Sequence, residues 1–388
     1  MERDPVPATT TGSVVAVVVL GDIVRSPRTS YHALSLARRG HAVHLIGYVD
    51  STLPDTLLQQ QRDGRISIHA FPVFGAAPPG LFLLWAPIKA LLQLLALVWI
   101  LCFAIPAPSH ILVQNPPSIP TLIVAQFAVW ARSSRLVIDW HNLGYSILAL
   151  RLGHTSLLVK LAKWIERTFG RIAHAHLFVT QAMRDHLVAE WDLVGEPIVL
   201  YDRPPAHFRR LSGFEKSKMA TATIPSLASF DAAKDCLIVS STSWTVDEDF
   251  DLFLEALSAV DLHLQSSRAA AVCKVHVVIT GKGPLRDHYE AEIADRTWSH
   301  VLISTAWLAA EDYPKLLGVA DIGVSLHTSS SGLDLPMKVV DMFGCGLAVC
   351  AYDFECLSEL VKPSFGRVFT AAEELVSNLL VRGAPFLS

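Results

Sequence analysis

Short runs of Val, Ile and Leu alternate with amphipathic stretches along the chain. In the first half, strands are predicted at Val14–Leu20, Ala42–Tyr48, Ile66–Phe71, Ile111–Gln114, Leu136–Asp139, His176–Thr180 and Ile198–Tyr201. Helices are predicted at Ser30–Arg39, stopped by Gly40, and at Thr155–Ile172 and Gln181–Trp191. Residues 202–234 break the rhythm with Arg-Pro-Pro and a Lys/Ser/Thr/Ala stretch, which reads as a linker. The alternation then restarts with strands at Cys236–Ser241, Lys274–Thr280, His300–Ser304, Ile322–Leu326 and Leu347–Ala351. Helices are predicted through Phe250–Leu257, from Pro284, around Tyr313–Val319 and at Met337–Phe343. Continuous apolar strands separated by helices indicate parallel sheets covered on both faces. The expectation is two doubly wound, Rossmann-like domains, 1–201 and 235–388, with ligands held in a cleft at the carboxyl ends of their strands.

One run departs from this pattern. Leu81–Ile105 is long enough to span a bilayer, but Pro87, Lys89 and Gln93 interrupt it, and Leu94–Ile105 alone is too short. It is expected to lie in a membrane interface or re-enter it, with a buried core helix as the alternative. Met1–Gly12 is polar, so no leader is expected.

Composition sharpens the picture. The 388 residues are 51% hydrophobic and 18% charged, which excludes disorder, collagen and coiled coil. The six cysteines form no CxxC pair, as in a reducing compartment. Residues 1–200 carry 16 Lys+Arg against 12 Asp+Glu, a balance of +4, whereas residues 201–388 carry 16 against 24, or −8. Neither half is basic enough for nucleic acid, and a mildly positive first half suits an anionic lipid surface or a diphosphate.

Candidate chemistry sits at the strand ends. Gly21-Asp22 leads through Arg25 and Arg28 into a helix, a loop suited to a diphosphate but lacking GxGxxG; a capped turn with solvated arginines is the alternative. Asp139, His141 and Asn142 arrive together after another strand, with Asn115 on the same rim; His141 serves as base or sugar contact, Asp139 as orienter or base, unless the His merely caps a turn. In the second half, Ser243 and Lys282 lie in small-residue loops that suit phosphates. Lys338 and Asp341, three apart behind a Ser/Gly loop, are expected to face diphosphate and ribose, rather than each other as a salt bridge. No metal-ligand spacing appears, so no metal is expected.

The phrases GDIVRSPRTSYHALSLA, VQNPPSIP, VIDWHNLGYSI, LYDRPP and SGLDLPMKVVDMFGCG closely resemble the chitobiosyldiphosphodolichol β-mannosyltransferase family, over about Val14 to Phe369. The resemblance implies a GT-B glycosyltransferase at the endoplasmic-reticulum membrane, with its catalytic domains on the cytosolic side. GDP-mannose would be a substrate and no cofactor is implied. Mannose would pass with inversion to dolichyl-diphosphate chitobiose, a base deprotonating the acceptor hydroxyl. The first domain would hold the acceptor and the second GDP-mannose, with the segment 81–105 docking beside the lipid. Other dolichol-pathway mannosyltransferases are implied as partners. Family members begin with an anchor helix and continue beyond the strand matching Gly366–Phe369, so the helix that crosses back in GT-B enzymes is expected to be missing and stability reduced. The competing readings are a GT-B transferase for another nucleotide sugar or lipid, and an inactive or truncated paralogue acting as a membrane scaffold. A dehydrogenase is disfavoured by the missing GxGxxG.

Overall fold

The apolar run after Ser13 forms β1 (Val14–Asp22), six of whose nine residues are buried because both faces are covered. The computed structural model describes residues 12–72, 82–212, 225–266 and 274–382. The chain divides into two units, Met1–Tyr201 and Asp202–Ser388.

In the first unit β1 is followed by α1 (Pro27–Arg38), β2 (Ala42–Tyr48), α2 (Asp55–Arg62) and β3 (Ile66–Ala70). Then come α3 (Phe82–Trp99), continued by a π-helical turn Ile100–Ala104, β4 (His110–Asn115), α4 (Thr121–Arg132) and β5 (Arg135–Trp140). The unit ends with α5 (Gly144–Leu152), α6 (Leu157–Gly170), β6 (Ile172–Phe178), α7 (Gln181–Trp191) and β7 (Val194–Val199). The seven strands lie in the order β3-β2-β1-β4-β5-β6-β7. Every described pairing is parallel. Order reverses between β1 and β4, the position at which open α/β sheets hold ligands beyond the strand ends. Gly170 is required by packing: a Cβ there would come within 2.6 Å of the Trp140 ring at the end of β5.

The second unit runs β8 (Cys236–Ser241), α8 (Phe250–Ser266), β9 (Val275–Thr280), α9 (Arg286–Asp295), β10 (Val301–Ala306) and α10 (Tyr313–Val319). It continues with β11 (Ile322–Ser325), α11 (Met337–Gly344), β12 (Ala348–Tyr352), β13 (Gly366–Phe369) and α12 (Ala372–Arg382). Its six-stranded sheet has the order β10-β9-β8-β11-β12-β13, again parallel. Apolar clusters cover both faces, one built on Phe250, Phe253 and Leu257 of α8, the other on Leu317, Val339 and Met342. The stretch read as a linker is partly folded onto this unit. Leu211 N–H donates to the Gly318 carbonyl at 2.9 Å, and Arg210 donates to the Ala320 carbonyl at 2.8 Å. Residues 213–224 lie outside the described part, as do Leu81 and Cys273.

The segment expected at a membrane is helical across Phe82–Trp99. Its window Pro87–Ala104 has a mean hydropathy of 2.0 and is only 22% buried. That exposure disagrees with a buried core helix, whose side chains would be covered on all sides.

Candidate active site

In the first unit, β1, β4 and β5 are neighbours, so their carboxyl ends bring three sequence-distant segments together. At the centre is Asp139, fully buried. Arg28 Nε donates to its Oδ2 at 2.8 Å, and Nη2 to Oδ1 at 2.9 Å. Two imidazoles share the other face: His141 Nε2 lies 2.9 Å and His32 Nε2 3.0 Å from Oδ2. Burial works against ionisation, yet His141, His32 and Arg28 together hold the Asp139 carboxyl well below the usual carboxylate range. An acceptor-only carboxylate fixes Nε2–H on each ring and leaves Nδ1 to carry the lone pair. Nδ1 of His141 and of His32 has no partner among the described residues, and both side chains are partly exposed.

His32 is absent from the sequence reading. It sits four residues after Arg28 on α1, so both reach one point from one helix face; that spacing was the available signal.

Three expectations change here. Arg28 does not reach toward a diphosphate, because its guanidinium faces Asp139 and, through Nη1, the Leu200 carbonyl at 2.6 Å. Asn115 is fully buried and touches no solvent. Its side-chain amide donates to Glu166 Oε1 at 2.7 Å, and its carbonyl accepts the His141 N–H at 2.8 Å. Gly21 is not the turning point: β1 continues through Asp22, and a Cβ on Gly21 would meet nothing closer than 3.6 Å. Asp22 itself accepts from Ser51 Oγ at 2.7 Å, while Arg25 is highly exposed. Asn142 accepts the Leu143 N–H at 2.7 Å.

Glu166, on α6, holds this rim from behind. Beyond Asn115 it accepts the Gly144 and Tyr145 N–H groups at 2.9 and 3.1 Å, capping α5. Burial pushes its carboxyl up, and these donors pull it part of the way back. Glu166→Ala leaves the Asn115 amide and two N–H groups unpaired, and is expected to destabilise the unit by about 1–3 kcal/mol in denaturant titration.

In the second unit, the ends of β8, β9 and β11 are likewise adjacent. The Gly281-Lys282-Gly283 loop presses on the chain after β8. A Cβ on Gly281, whose φ is +147°, would lie 1.9 Å from the Thr242 carbonyl, and one on Gly283 1.8 Å from that of Ser243. Only glycine permits this approach. Lys282 Nζ rests 4.3 Å from the Trp307 ring centroid. Lys338 does not pair with Asp341. Its Nζ lies 2.7 Å from Glu248 Oε1, while Glu248 Oε2 accepts from Thr242 Oγ1 and from the Ser243 N–H at 2.8 Å. Glu248, nearly fully buried, was not singled out in the sequence, where it lies in the Asp247-Glu248-Asp249 run. The Asp341 carboxyl has no hydrogen bond or ion pair among the described residues, and burial pushes it up to about 7. His327, after β11, is pushed down by burial and then by the Lys338 charge. No group of three His, Cys, Asp or Glu able to hold a metal occurs among the described residues.

Residues 26–201 match a glycosyl transferase 4-like domain, and residues 233–380 match glycosyl transferases group 1. The chain is 43% identical to a mouse chitobiosyldiphosphodolichol β-mannosyltransferase, covering 94% of this chain and 80% of the mouse protein. It is 41% identical to the Arabidopsis thaliana UDP-glycosyltransferase TURAN, over 94% of this chain and 88% of that one. Among solved structures, Anabaena HepE in complex with UDP and glucose aligns with a TM-score of 0.59 at 16% identity, over 96% of this chain and 89% of the other. That likeness carries the GT-B fold, and the sequence identities carry the rest. The chain belongs to the chitobiosyldiphosphodolichol β-mannosyltransferase family of GT-B glycosyltransferases.

Proposed function

We propose that the protein transfers mannose from GDP-mannose to chitobiose on dolichyl diphosphate, forming a β-1,4 bond with inversion. The observation that carries the chemistry is the buried Asp139 carboxylate holding Nε2 of His141, which turns Nδ1 outward as a base. In a single displacement, His141 Nδ1 takes the proton of the acceptor hydroxyl as that oxygen attacks the mannosyl anomeric carbon. The bond from that carbon to the phosphate oxygen breaks, and GDP leaves with the electron pair. Asp139 stabilises the imidazolium and stays ionised throughout.

Arg25, Asp22, Gly21 and Asn142 line the acceptor side in this reading, while Arg28 and Asn115 act from behind as positioning residues. Donor binding falls to Ser243, Lys282, Lys338 and Asp341. The glycine-framed loop brings backbone N–H groups and the Lys282 ammonium to the diphosphate, and Asp341 accepts from ribose hydroxyls. GDP-mannose is a substrate, and no cofactor enters the reaction. The family resemblance implies the endoplasmic-reticulum membrane with both units on the cytosolic side, and the exposed apolar helix α3 supports contact with a membrane.

The test is transfer of labelled mannose from GDP-mannose to phytanyl- or dolichyl-diphosphate chitobiose, with UDP-sugars in parallel. A β-mannosylated lipid formed only with GDP-mannose is expected. Transfer from a UDP-sugar instead would reassign the donor, and no transfer from any donor would leave a scaffold.

A further inference from the structure

We infer that the exposed face of α4, α5 and α6 is a second membrane footprint, which recognises an anionic bilayer surface independently of α3. The observation is compositional and spatial at once. Between Asp63 and Asp185 the sequence holds two acids, Asp139 and Glu166, against ten Lys and Arg. Both acids are fully buried, so this stretch presents no carboxylate to solvent.

The same stretch leaves large apolar side chains uncovered. On α6, Leu157 is 80% and Trp164 59% exposed, with Leu161 beside them. They form one stripe opposite Val159, Ala162, Glu166 and Gly170, which face the protein. Lys160 and Arg167 follow Leu157 and Trp164 by three residues and flank that stripe; with exposed Arg151 of α5 they have no ion-pair partner among the described residues. On α4, Trp130 is 78% exposed. A helix with Trp and Leu on one face and Lys and Arg along its margin has the composition of an interfacial membrane helix.

Two arguments select a bilayer as the occupant. Lys163 and Arg171 are matched by the exposed Glu190 and Asp192, but Lys160, Arg167 and Arg151 beside the apolar stripe carry charge that no carboxylate among the described residues balances, which suits a surface of negative headgroups. The face is also continuous with α3, which packs on α4 as α4 packs on α6. The inference rests on surface chemistry alone and stands whatever sugar the protein transfers.

The test is co-sedimentation of the full chain with phosphatidylcholine vesicles, with and without phosphatidylserine. Affinity is expected to rise about tenfold or more with the anionic lipid, at roughly 1 kcal/mol per basic residue near the surface. Lys160→Glu with Arg167→Glu should abolish that rise. Leu157→Ser, Leu161→Ser and Trp164→Ser together should weaken binding to both vesicles while α3 is intact, and should leave transfer to a detergent-dispersed acceptor unchanged. Should the triple variant fail to fold, quenching of Trp164 fluorescence by brominated lipid, taken against Trp164→Phe, decides the question. Equal binding of wild type to both vesicles, or no quenching of Trp164, overturns the proposal. So does self-association without vesicles that the triple variant removes, since the face would then meet a second copy.

Discussion

Asp139→Asn is expected to lower mannosyl transfer by about 10²–10⁴-fold, the usual contribution of a general base such as the His141 that it holds in place, and to destabilise the first unit at the same time. The carboxylate is the common acceptor for Arg28, His32 and His141. An amide in its place turns an N–H toward one of those donors and leaves the Arg28 guanidinium buried without a counter-charge. Removing one partner of a buried pair typically costs about 3–5 kcal/mol. Replacing the ion pair as a whole, as Arg28→Met with Asp139→Leu, should recover part of that stability, with the part-exposed His32 and His141 left to water, while transfer stays low. Thermal melting and initial rates on the three proteins separate the two effects. If the double variant regains transfer along with stability, Asp139 acts only in folding.

The pH dependence follows from the same pocket. The native Asp139 carboxyl is held well below its ordinary range. Its contribution to stability is therefore complete above about pH 4, the unfolded value, and is lost as pH falls through the native one. Asp139→Asn should accordingly flatten the acid limb of the stability curve.

What was readable in the sequence, and what was not, divides along physical lines. The parallel sheets were readable because strands buried on both faces are continuous apolar runs, as in Val14–Leu20 and Val275–Thr280. Strand-end residues were also readable, since chemistry collects where a parallel sheet ends. Helix α4 was not identified, because Thr121–Arg132 carries apolar residues around much of its circumference, with Trp130 and Phe127 exposed. Its pattern has neither a clear helical period nor a polar face. Side-chain direction was the other hidden quantity. Arg28 and Arg25 look alike in sequence, three residues apart, yet one is buried on Asp139 and the other is exposed, with its Nε 3.7 Å from Asp22. Likewise, the Lys338–Asp341 spacing permits a pair within one helix, whereas the partner lies ninety residues away at Glu248. A single sequence records spacing within an element but not the contacts between elements.

That long-range pair sets up the second large effect. Lys338→Ala is expected to weaken GDP binding by about 1.5–3 kcal/mol, roughly ten- to a hundredfold, as removal of a charge-assisted hydrogen bond does. Part of this loss should come from Glu248, whose carboxylate would then face the diphosphate unneutralised. Lys338→Ala combined with Glu248→Gln should therefore bind GDP more tightly than Lys338→Ala alone. Asp341 adds a dependence on pH. With its carboxyl near 7 in the free protein, only the ionised fraction accepts hydrogen bonds from ribose at full strength. Donor affinity should rise with pH through about 7 in the wild type, and Asp341→Asn should bind more weakly and without that rise. Stability should move the opposite way. A carboxyl raised above its unfolded value contributes stability below about pH 4 and loses it as pH climbs through 7, so Asp341→Asn should be the more stable protein at pH 8. Calorimetry with GDP and GDP-mannose between pH 6 and 8, alongside thermal melting, reads both trends. A variant that gains stability at pH 8 without losing donor affinity would mean that Asp341 is desolvated for a reason other than the nucleotide. Lost affinity with the predicted gain in stability would mean that the free protein keeps a carboxylate it would be more stable without, because the bound ribose supplies the hydrogen bonds missing there.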